Sequence, residues 1–476
     1  MKERYSRKEF LQLSAAALSG VLLSKAGVAA RSPAEVTTTP QQGYRVTLLA
    51  KGDARYDQLR QGFNKRYNKF PAVIALCSST AEVAEAVRYA KDYRLPIAIK
   101  SGGHSFEGFS CNDGGMVINL SNLNSVEWID KTTVRIGPAC TLSELYDSIL
   151  PKGRVIPAGS CGGVGVGGLA LGGGYGFFSR KYGLTCDSLM EVTMVDGAGT
   201  IRSSKTEPDL LWACRGGNNG NMGVVTELIF KTHVAPATFR SHRFKAKSLT
   251  AASAKQILKE WFSLTNELPS SCFSAFVLNG STLNILLTDF EDHTAALKPV
   301  FDGLSALCSK STVGKPVRLA SALKNYYGRK KPMYFKNASA GLYSDFSEIS
   351  SFIEQVLQTV VGTSGMIYQV NTLGGAIASS EFEAHSCFPH RRKNYLSELQ
   401  TYWEEPSRER KLVERFAEVQ RLFSEKGISA QYANYPDLDW NNHLQAYYGK
   451  HLTRLQALKK TYDPDNRFSH AQSLKV

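Results

Sequence analysis

The sequence predicts an α+β fold with two main units. Three observations carry this. Short strand patterns and capped helices fill residues 66–236, and longer helical and apolar strand patterns alternate over 237–425. A glycine-dense run interrupts the first unit between 159 and 176. With 476 residues, 43% hydrophobic and 21% charged, the chain has the length and composition for buried cores rather than for disorder.

Lys2, Arg4, Arg7 and Lys8 make a basic start, and an apolar stretch follows from Leu11 to Ala30. Val28-Ala29-Ala30 offers small residues for cleavage before Arg31. This is the pattern of an export signal over 1–30, and Lys25 within it argues against a membrane span. Ser6-Arg7-Lys8-Glu9-Phe10-Leu11 resembles a twin-arginine signal with Lys8 in place of the second arginine. Export to the periplasm or outside the cell is therefore expected. Residues 31–65 read as a linker leading into the first unit.

Val73 to Leu76 reads as a strand. Ser79 and Glu82 have the spacing of a capping box, and Val83, Val87 and Ala90 make a helical stripe. Pro96 stops that helix, and Ile97 to Ile99 is a second strand. It runs into Ser101-Gly102-Gly103-His104-Ser105, so a β-α-β unit delivers a glycine turn and a histidine at a strand end. Such ends are where α/β folds place ligands. Short strands follow at Met116–Leu120, Val126–Ile129 and Thr133–Ile136, then a helix capped by Thr141 and Glu144. Met190–Val195 and Thr200–Ser203 flank a hairpin turn at Asp196-Gly197-Ala198-Gly199. Gly223 to Thr232 closes the unit as a strand.

The second unit has helical patterns near 254–267 and 406–425, with strands at Phe273–Leu278, Ile285–Thr288 and Met366–Val370. Residues 426–476 form a tail. It contains Tyr432-Ala433-Asn434-Tyr435 and a helix with Leu444, Tyr448, Leu452 and Leu455 on one face.

The formal charge of +15 invites a nucleic-acid reading. Arg329-Lys330-Lys331 and Arg391-Arg392-Lys393 are the only dense basic blocks, and neither sits in a nucleic-acid motif. No nucleic-acid partner is expected. The nine cysteines form no C-x-x-C pair and no Cys/His cluster at zinc spacing, so no metal site is expected. Cys161 stands apart because it lies inside the glycine run.

That run reads Gly159-Ser-Cys161-Gly162-Gly163-Val164-Gly165-Val166-Gly-Gly168-Leu169-Ala-Leu171-Gly172-Gly-Gly-Tyr175-Gly176. Gly163, Gly165 and Gly168 satisfy G-x-G-x-x-G. A dinucleotide turn of the Rossmann type needs a strand before it and a helix opening at the third glycine, and here more glycines are expected in place of the helix. That reading is rejected. Glycines expose successive N–H groups and admit positive φ, which suits a pyrophosphate or a flat ring edge. Strand patterns flank the run, and Val164, Val166, Leu169 and Leu171 stand within it at alternating spacing, which argues against a flexible linker. In the second glycine-rich stretch, Arg215 to Gly223, Asn218 and Asn219 are expected to adopt left-handed backbone.

At this point the chain resembles the berberine-bridge-enzyme-like branch of the vanillyl-alcohol-oxidase flavoproteins, from about residue 45 to the end. Four motifs carry the resemblance: Lys100-Ser-Gly-Gly-His-Ser-Phe-Glu-Gly108, the Gly159–Gly176 run, Trp212-Ala-Cys-Arg-Gly-Gly through Gly223-Val-Val-Thr226, and Tyr432-Ala-Asn-Tyr435. Tyr447-Tyr448-Gly449, Asp463-Pro464 and Gln472-Ser473-Leu474 follow in order. The resemblance implies a bipartite PCMH-type FAD-binding domain, built from 66–236 and the tail, with a substrate domain inserted between them as an antiparallel sheet backed by helices. It implies FAD held covalently through His104 at the flavin 8α-methyl and through Cys161 at C6. It places Ser101, Gly102, Gly103, Ser105, Gly159, Gly165, Gly168, Gly172, Gly176, Asp187, Gly220, Gly223, Val225 and Asn434 at the cofactor. Gly162-Gly163 departs from a common Pro-Thr after the cysteine, and Asp187-Ser188 from a common Asp-Asn. Val164 matches a position associated with oxygen access.

The resemblance also implies the chemistry. Tyr435 matches the family's proposed base, and a phenol with an ordinary pKa near ~10 needs nearby cations or hydrogen-bond donors to act near neutrality. Gln369 matches a position facing the substrate, where Ile367 replaces a lysine found two residues earlier in some relatives. The expected activity is oxidation of an alcohol or hemiacetal on a small molecule, such as an oligosaccharide or an aromatic or secondary-metabolite alcohol, with O2 reduced to hydrogen peroxide. The alternatives are a dehydrogenase using another acceptor and a flavin-binding protein without turnover.

Overall fold

In the computed structural model, residues 44–329 and 331–476 are described. The export signal expected over 1–30 lies outside them, as does the linker before residue 44. Within the rest of that linker, Thr47–Leu49 is a strand and Tyr56–Arg60 a short helix.

Four strands form the first sheet. Val73–Leu76, Met116–Asn119 and Ile97–Lys100 pair in parallel in that order, with Thr47–Leu49 antiparallel on the outer edge. Both faces are apolar because both are covered. Val73, Ala75, Met116 and Ile118 pack on helix Thr80–Asp92, while the alternate positions Ile74, Ala98 and Val117 pack on Tyr56. Ser79 Oγ accepts from the Glu82 N–H at 3.2 Å. The return bond of the expected capping box is displaced by one residue: Glu82 accepts from the Ser78 N–H at 2.7 Å. At Thr141 the box is complete, heading helix Leu142–Ile149.

The second sheet is antiparallel throughout, in the order Val126–Trp128, Thr133–Ile136, Gly223–Lys231, Leu189–Asp196, Ile201–Ser203. The hairpin at 196–200 joins its last two strands. Strand Arg154–Val155, which precedes the glycine run, pairs antiparallel with His233–Val234. No parallel β-α-β unit surrounds the run. The run does contain a helix, Val166–Leu171, where none was expected. Val166 and Ala170, four residues apart, are its buried face, so the apolar spacing there is helical and not strand-like.

The largest sheet has eight antiparallel strands. Its main path runs Lys310–Thr312, Thr238–Ala246, Thr282–Asp289, Cys272–Asn279, Met366–Thr372, Tyr395–Trp403, Tyr334–Tyr343, and Val317–Arg318 adds to Thr238–Ala246. Helices Ala251–Thr265, Ile353–Val361 and Glu409–Glu425 cover one face, packing Trp261, Val356 and Phe416 in one core with Phe276, Tyr368 and Leu399. The alternate positions on the other face remain free to line a cavity.

The tail returns to the first two sheets. The Ile97 N–H donates to Arg467 O at 3.2 Å, and the Gly197 N–H to Tyr462 O at 2.8 Å. Lys459, fully buried, donates to Asn221 O, Phe468 O and Asp463. The single tail helix expected from the Leu444–Leu455 pattern is two, His443–Tyr448 and Leu452–Tyr462. Gly449 breaks it, with φ +48°. Among the described residues, no helix is long and apolar enough to cross a membrane.

One buried ion cluster ties three parts of the chain together. Lys336 Nζ lies 2.5 Å from both Glu107 and Asp437. Burial pulls the Lys336 pKa down, and the two carboxylates outweigh it, leaving it above the usual lysine value.

Candidate active site

A cavity of about 1400 Å³ lies between the first two sheets and the free face of the eight-stranded sheet. Strand Ile97–Lys100 leads into its wall. Lys100 Nζ donates to Leu59 O at 2.6 Å, and Gly103 O accepts from the Phe63 N–H at 2.9 Å, fixing the turn that carries His104. The His104 ring stacks on Phe63, centroids 4.2 Å apart. Burial pushes its pKa down to about 4, so the imidazole is neutral near pH 7 and keeps a free lone pair.

The glycine run approaches this turn directly. A Cβ at Gly102 would collide with Gly165 N, and one at Gly165 with Ser101 Oγ and Gly102 N. Both glycines are needed for two backbones to touch. Gly162-Gly163 now has a reason as well. A Cβ at Gly162 would sit 2.9 Å from the Tyr327 ring, and one at Gly163 3.0 Å from His104 Nε2. Gly162 O accepts from Ser143 N–H and Oγ, and its N–H donates to Tyr327 O at 3.0 Å. The departure from Pro-Thr therefore brings the Cys161 loop against His104. The Cys161 thiol lines the cavity and is half-buried, and burial raises its pKa.

Of the other cofactor positions expected from the sequence, Ser101, Gly103, Ser105, Gly159, Gly168 and Gly176 line the cavity. So do Gly220, Gly223, Val225 and Asn434. Two do not. Gly172 sits behind the wall, where a Cβ would strike the Asn434 and Asn219 side chains. Asp187 is buried in a two-pronged pair with Arg391, at 2.5 and 2.9 Å, and it also accepts from the Leu184 N–H. It anchors the segment after the run and does not reach the cavity. Asn218 and Asn219 do not adopt positive φ; Gly216 and Gly220 do.

The opposite wall is a polar stripe. Gln369 and Asn371, two apart on one strand, face Glu398 and Gln400 on the next. Gln369 donates to Asn371 at 2.9 Å and accepts from Gln400 at 3.1 Å. Asn371 donates to Tyr175 Oη at 3.0 Å, and Tyr435 Oη donates to the same oxygen at 3.1 Å. Tyr402 Oη donates to Gln400 and accepts from Asn337 at 2.7 Å. One hydrogen-bonded chain thus joins Tyr435 to Tyr402. None of its members is a cation, and Ile367 lines the same wall. Burial, then the Tyr175 phenol and Glu398, push the Tyr435 pKa well up.

Sequence reasoning missed Tyr175, Asn371 and Glu398. The alternation Glu398-x-Gln400-x-Tyr402, polar within an apolar strand, was the available signal.

The cavity suits FAD on its own geometry. At Gly168 nothing lies within 4 Å of a Cβ position, so the backbone is bare toward the open space. Asn219 donates to Asn434 at 2.9 Å, but its own Oδ1 is buried without a partner beside the cavity, as a flavin imide N–H would require.

Comparison with known proteins decides the family. Residues 71–205 match the model of the FAD binding domain, and residues 431–475 match that of berberine and berberine-like proteins. Over nine tenths of its length the chain is similar to berberine-bridge-enzyme-like FAD-linked oxidoreductases of the PCMH-type superfamily. It is 29% identical to an uncharacterized FAD-linked oxidoreductase of Bacillus subtilis, over 90% of this chain and 96% of that one. It is 28% identical to the chitooligosaccharide oxidase of Gibberella zeae, over 90% and 92%. Among solved structures, Physcomitrella patens BBE-like 1 superposes with a TM-score of 0.83 at 25% identity, covering 90% of this chain and 97% of that one. This berberine-bridge-enzyme-like protein is thus an FAD-dependent oxidoreductase with the α+β, bipartite fold that its motifs imply.

Proposed function

We propose that the protein oxidises an alcohol or hemiacetal carbon of a small molecule, using FAD linked covalently to His104 and Cys161 and returning the electrons to O2 as hydrogen peroxide. The observation that carries this reading is the Tyr435–Tyr175 phenol pair, which shares one cavity with the His104 and Cys161 loops. Bound FAD supplies a two-electron acceptor for hydride. The chain's residues supply attachment, position and proton transfer.

Neutral His104 is a competent nucleophile for the first link. The raised thiol pKa makes Cys161 the slower partner, because only the thiolate attacks. Tyr435, whose own proton lies toward Tyr175, offers its oxygen to the substrate hydroxyl as a hydrogen-bond acceptor and so orients the O–H bond that must break. Gln369, held by Asn371 and Gln400, orients the substrate. Val164 lines the cavity beside Cys161, which agrees with oxygen as acceptor.

The test is anaerobic mixing with a panel of cellobiose, diacetylchitobiose, benzyl alcohol and cinnamyl alcohol, followed by air. One class is expected to bleach the flavin, with peroxide forming on aeration, and Tyr435→Phe should slow bleaching by about 10²–10⁴-fold. Failure of every alcohol to bleach it refutes the reading. A reduced protein that stays bleached in air refutes the oxidase half and leaves a dehydrogenase.

A further inference from the structure

The strand Tyr334–Tyr343 holds both halves of the candidate site. On one side it holds the loop that carries His104. Asn64, 2% exposed, donates through its amide nitrogen to Phe106 O at 2.7 Å and to Phe335 O at 3.0 Å. One residue on, Glu107 takes Lys336 Nζ, and Tyr67 Oη also donates to Glu107. On the other side the strand holds the segment that carries Tyr435. The Ser339 N–H donates to Tyr435 O at 2.9 Å, and Asp437 takes the same Lys336 Nζ. The exposed Asp439 stands 3.5 Å from that ammonium. The Leu438 N–H donates to Glu107 at 3.3 Å, and the Phe106 ring stacks on Tyr435, centroids 5.1 Å apart, so the two held segments also touch. Phe335 and Asn337 line the cavity, and Lys336 between them does not. Stability alone does not explain a buried ion cluster here. Desolvating the charges costs nearly what their attraction returns, and packed apolar side chains often do as well. What the charges can add is one fixed arrangement, because breaking it strands a buried charge.

We propose that Lys336 is a positioning residue for flavin reduction: its ammonium fixes the His104 loop, which holds the flavin, against the Tyr435 segment, which orients the substrate's O–H bond. The inference rests on the alcohol-oxidising reading of the same cavity. Lys336 acts through its neighbours. His104 stands three residues before Glu107, and Tyr435 two residues before Asp437, so each carboxylate fixes a short stretch of backbone. The rate of flavin reduction depends steeply on how closely the reacting atoms approach, and a misplacement of about 1 Å can cost about 10²-fold. Substrate affinity depends less on this clamp. Gln369 and Gln400 lie on the strands Met366–Thr372 and Tyr395–Trp403 and are held by each other and by Asn371. Loss of the clamp should therefore lower the rate of reduction far more than it weakens binding.

The experiment uses the holoenzyme and the panel alcohol that bleaches it fastest. Lys336→Met combined with Glu107→Gln and Asp437→Asn removes the cation and both carboxylates together, so no member of the cluster is left as a lone buried charge. This triple variant should unfold in denaturant near the wild-type midpoint and keep its flavin by intact mass. In anaerobic stopped flow its limiting rate of flavin reduction should be about 10²-fold lower, with the half-saturating alcohol concentration moved by less than about threefold. A second readout needs no substrate. Amide hydrogen exchange should quicken in the peptides covering 104–109 and 434–439 together, and stay at the wild-type level in the helix Ala251–Thr265. If the triple variant does not fold, Glu107→Gln alone, which leaves Lys336 paired with Asp437, carries both readouts, with a smaller rate loss of about tenfold. A triple variant that folds and reduces its flavin at the wild-type rate overturns the inference and leaves alcohol oxidation standing. Faster exchange confined to one of the two peptides also overturns it, as does a rate loss that comes only with lost stability or lost flavin. If no alcohol bleaches the wild type, the reading and the inference fall together.

Discussion

Replacing Glu398 by glutamine is expected to stabilise the protein at alkaline pH and to leave it nearly unchanged in acid. The folded state holds this proton up to about pH 8, whereas the unfolded chain releases it near 4.5. Between those values the folded protein binds more protons than the unfolded one, so its stability falls as pH rises. Below the unfolded value both states are protonated and the carboxyl makes no difference. At about 1.4 kcal/mol for each tenfold step, the loss above pH 8 reaches a ceiling of about 5 kcal/mol. Glutamine keeps the shape and the amide contacts of Gln400 and Asn337 without the charge. For a chain of this length, with an unfolding entropy near 1 kcal/mol/K, the ceiling corresponds to about 5 °C in Tm. The assay is paired thermal unfolding of wild type and Glu398→Gln under acid and alkaline conditions. The Tm gap should open with pH in favour of the variant. A gap of the same size at both extremes would refute the reasoning, because the carboxyl would then be solvated or paired.

The buried ion cluster and the glycines give further expectations. Lys336→Met should cost about 3–5 kcal/mol in denaturant unfolding, because it leaves Glu107 and Asp437 buried without their cation. Adding Glu107→Gln and Asp437→Asn should recover most of it, and an unaffected single variant would contradict the assignment. Gly168→Ala should fold normally, since nothing stands within 4 Å of the new methyl, yet carry less flavin per chain by absorbance. Gly102→Ala should instead lose folded protein, because its methyl meets the backbone of Gly165.

Strands were legible in the sequence where local pattern decides. Val73–Leu76 and Thr133–Ile136 emerge as read, because β-branched residues between turn signals leave little choice. The Thr141 cap holds for the same local reason. The misses share a different cause. Asp187 was placed at the cofactor by the resemblance alone, but its partner Arg391 is 204 residues away and invisible to any window. The helix inside the glycine run was hidden because glycine is a poor helix former in isolation, and packing of Val166 and Ala170 into the core outweighs that. Glu398 shows the limit most clearly. Its alternation with Gln400 and Tyr402 was on the page, but only the packing of three helices on the other face tells which side meets the cavity. The positions of His104 and Cys161 were legible from motifs, whereas the contact between their loops was not. That contact depends on Gly163 passing beside the His104 ring.

The account turns on FAD tied to the chain at both of these residues, and intact mass under denaturing conditions measures that directly. The purified protein is predicted to carry the mass of one FAD on the unfolded polypeptide, with His104→Ala and Cys161→Ala each keeping a single link and the double variant releasing all flavin. A wild-type polypeptide at its bare mass, with the flavin free in solution, would contradict the account.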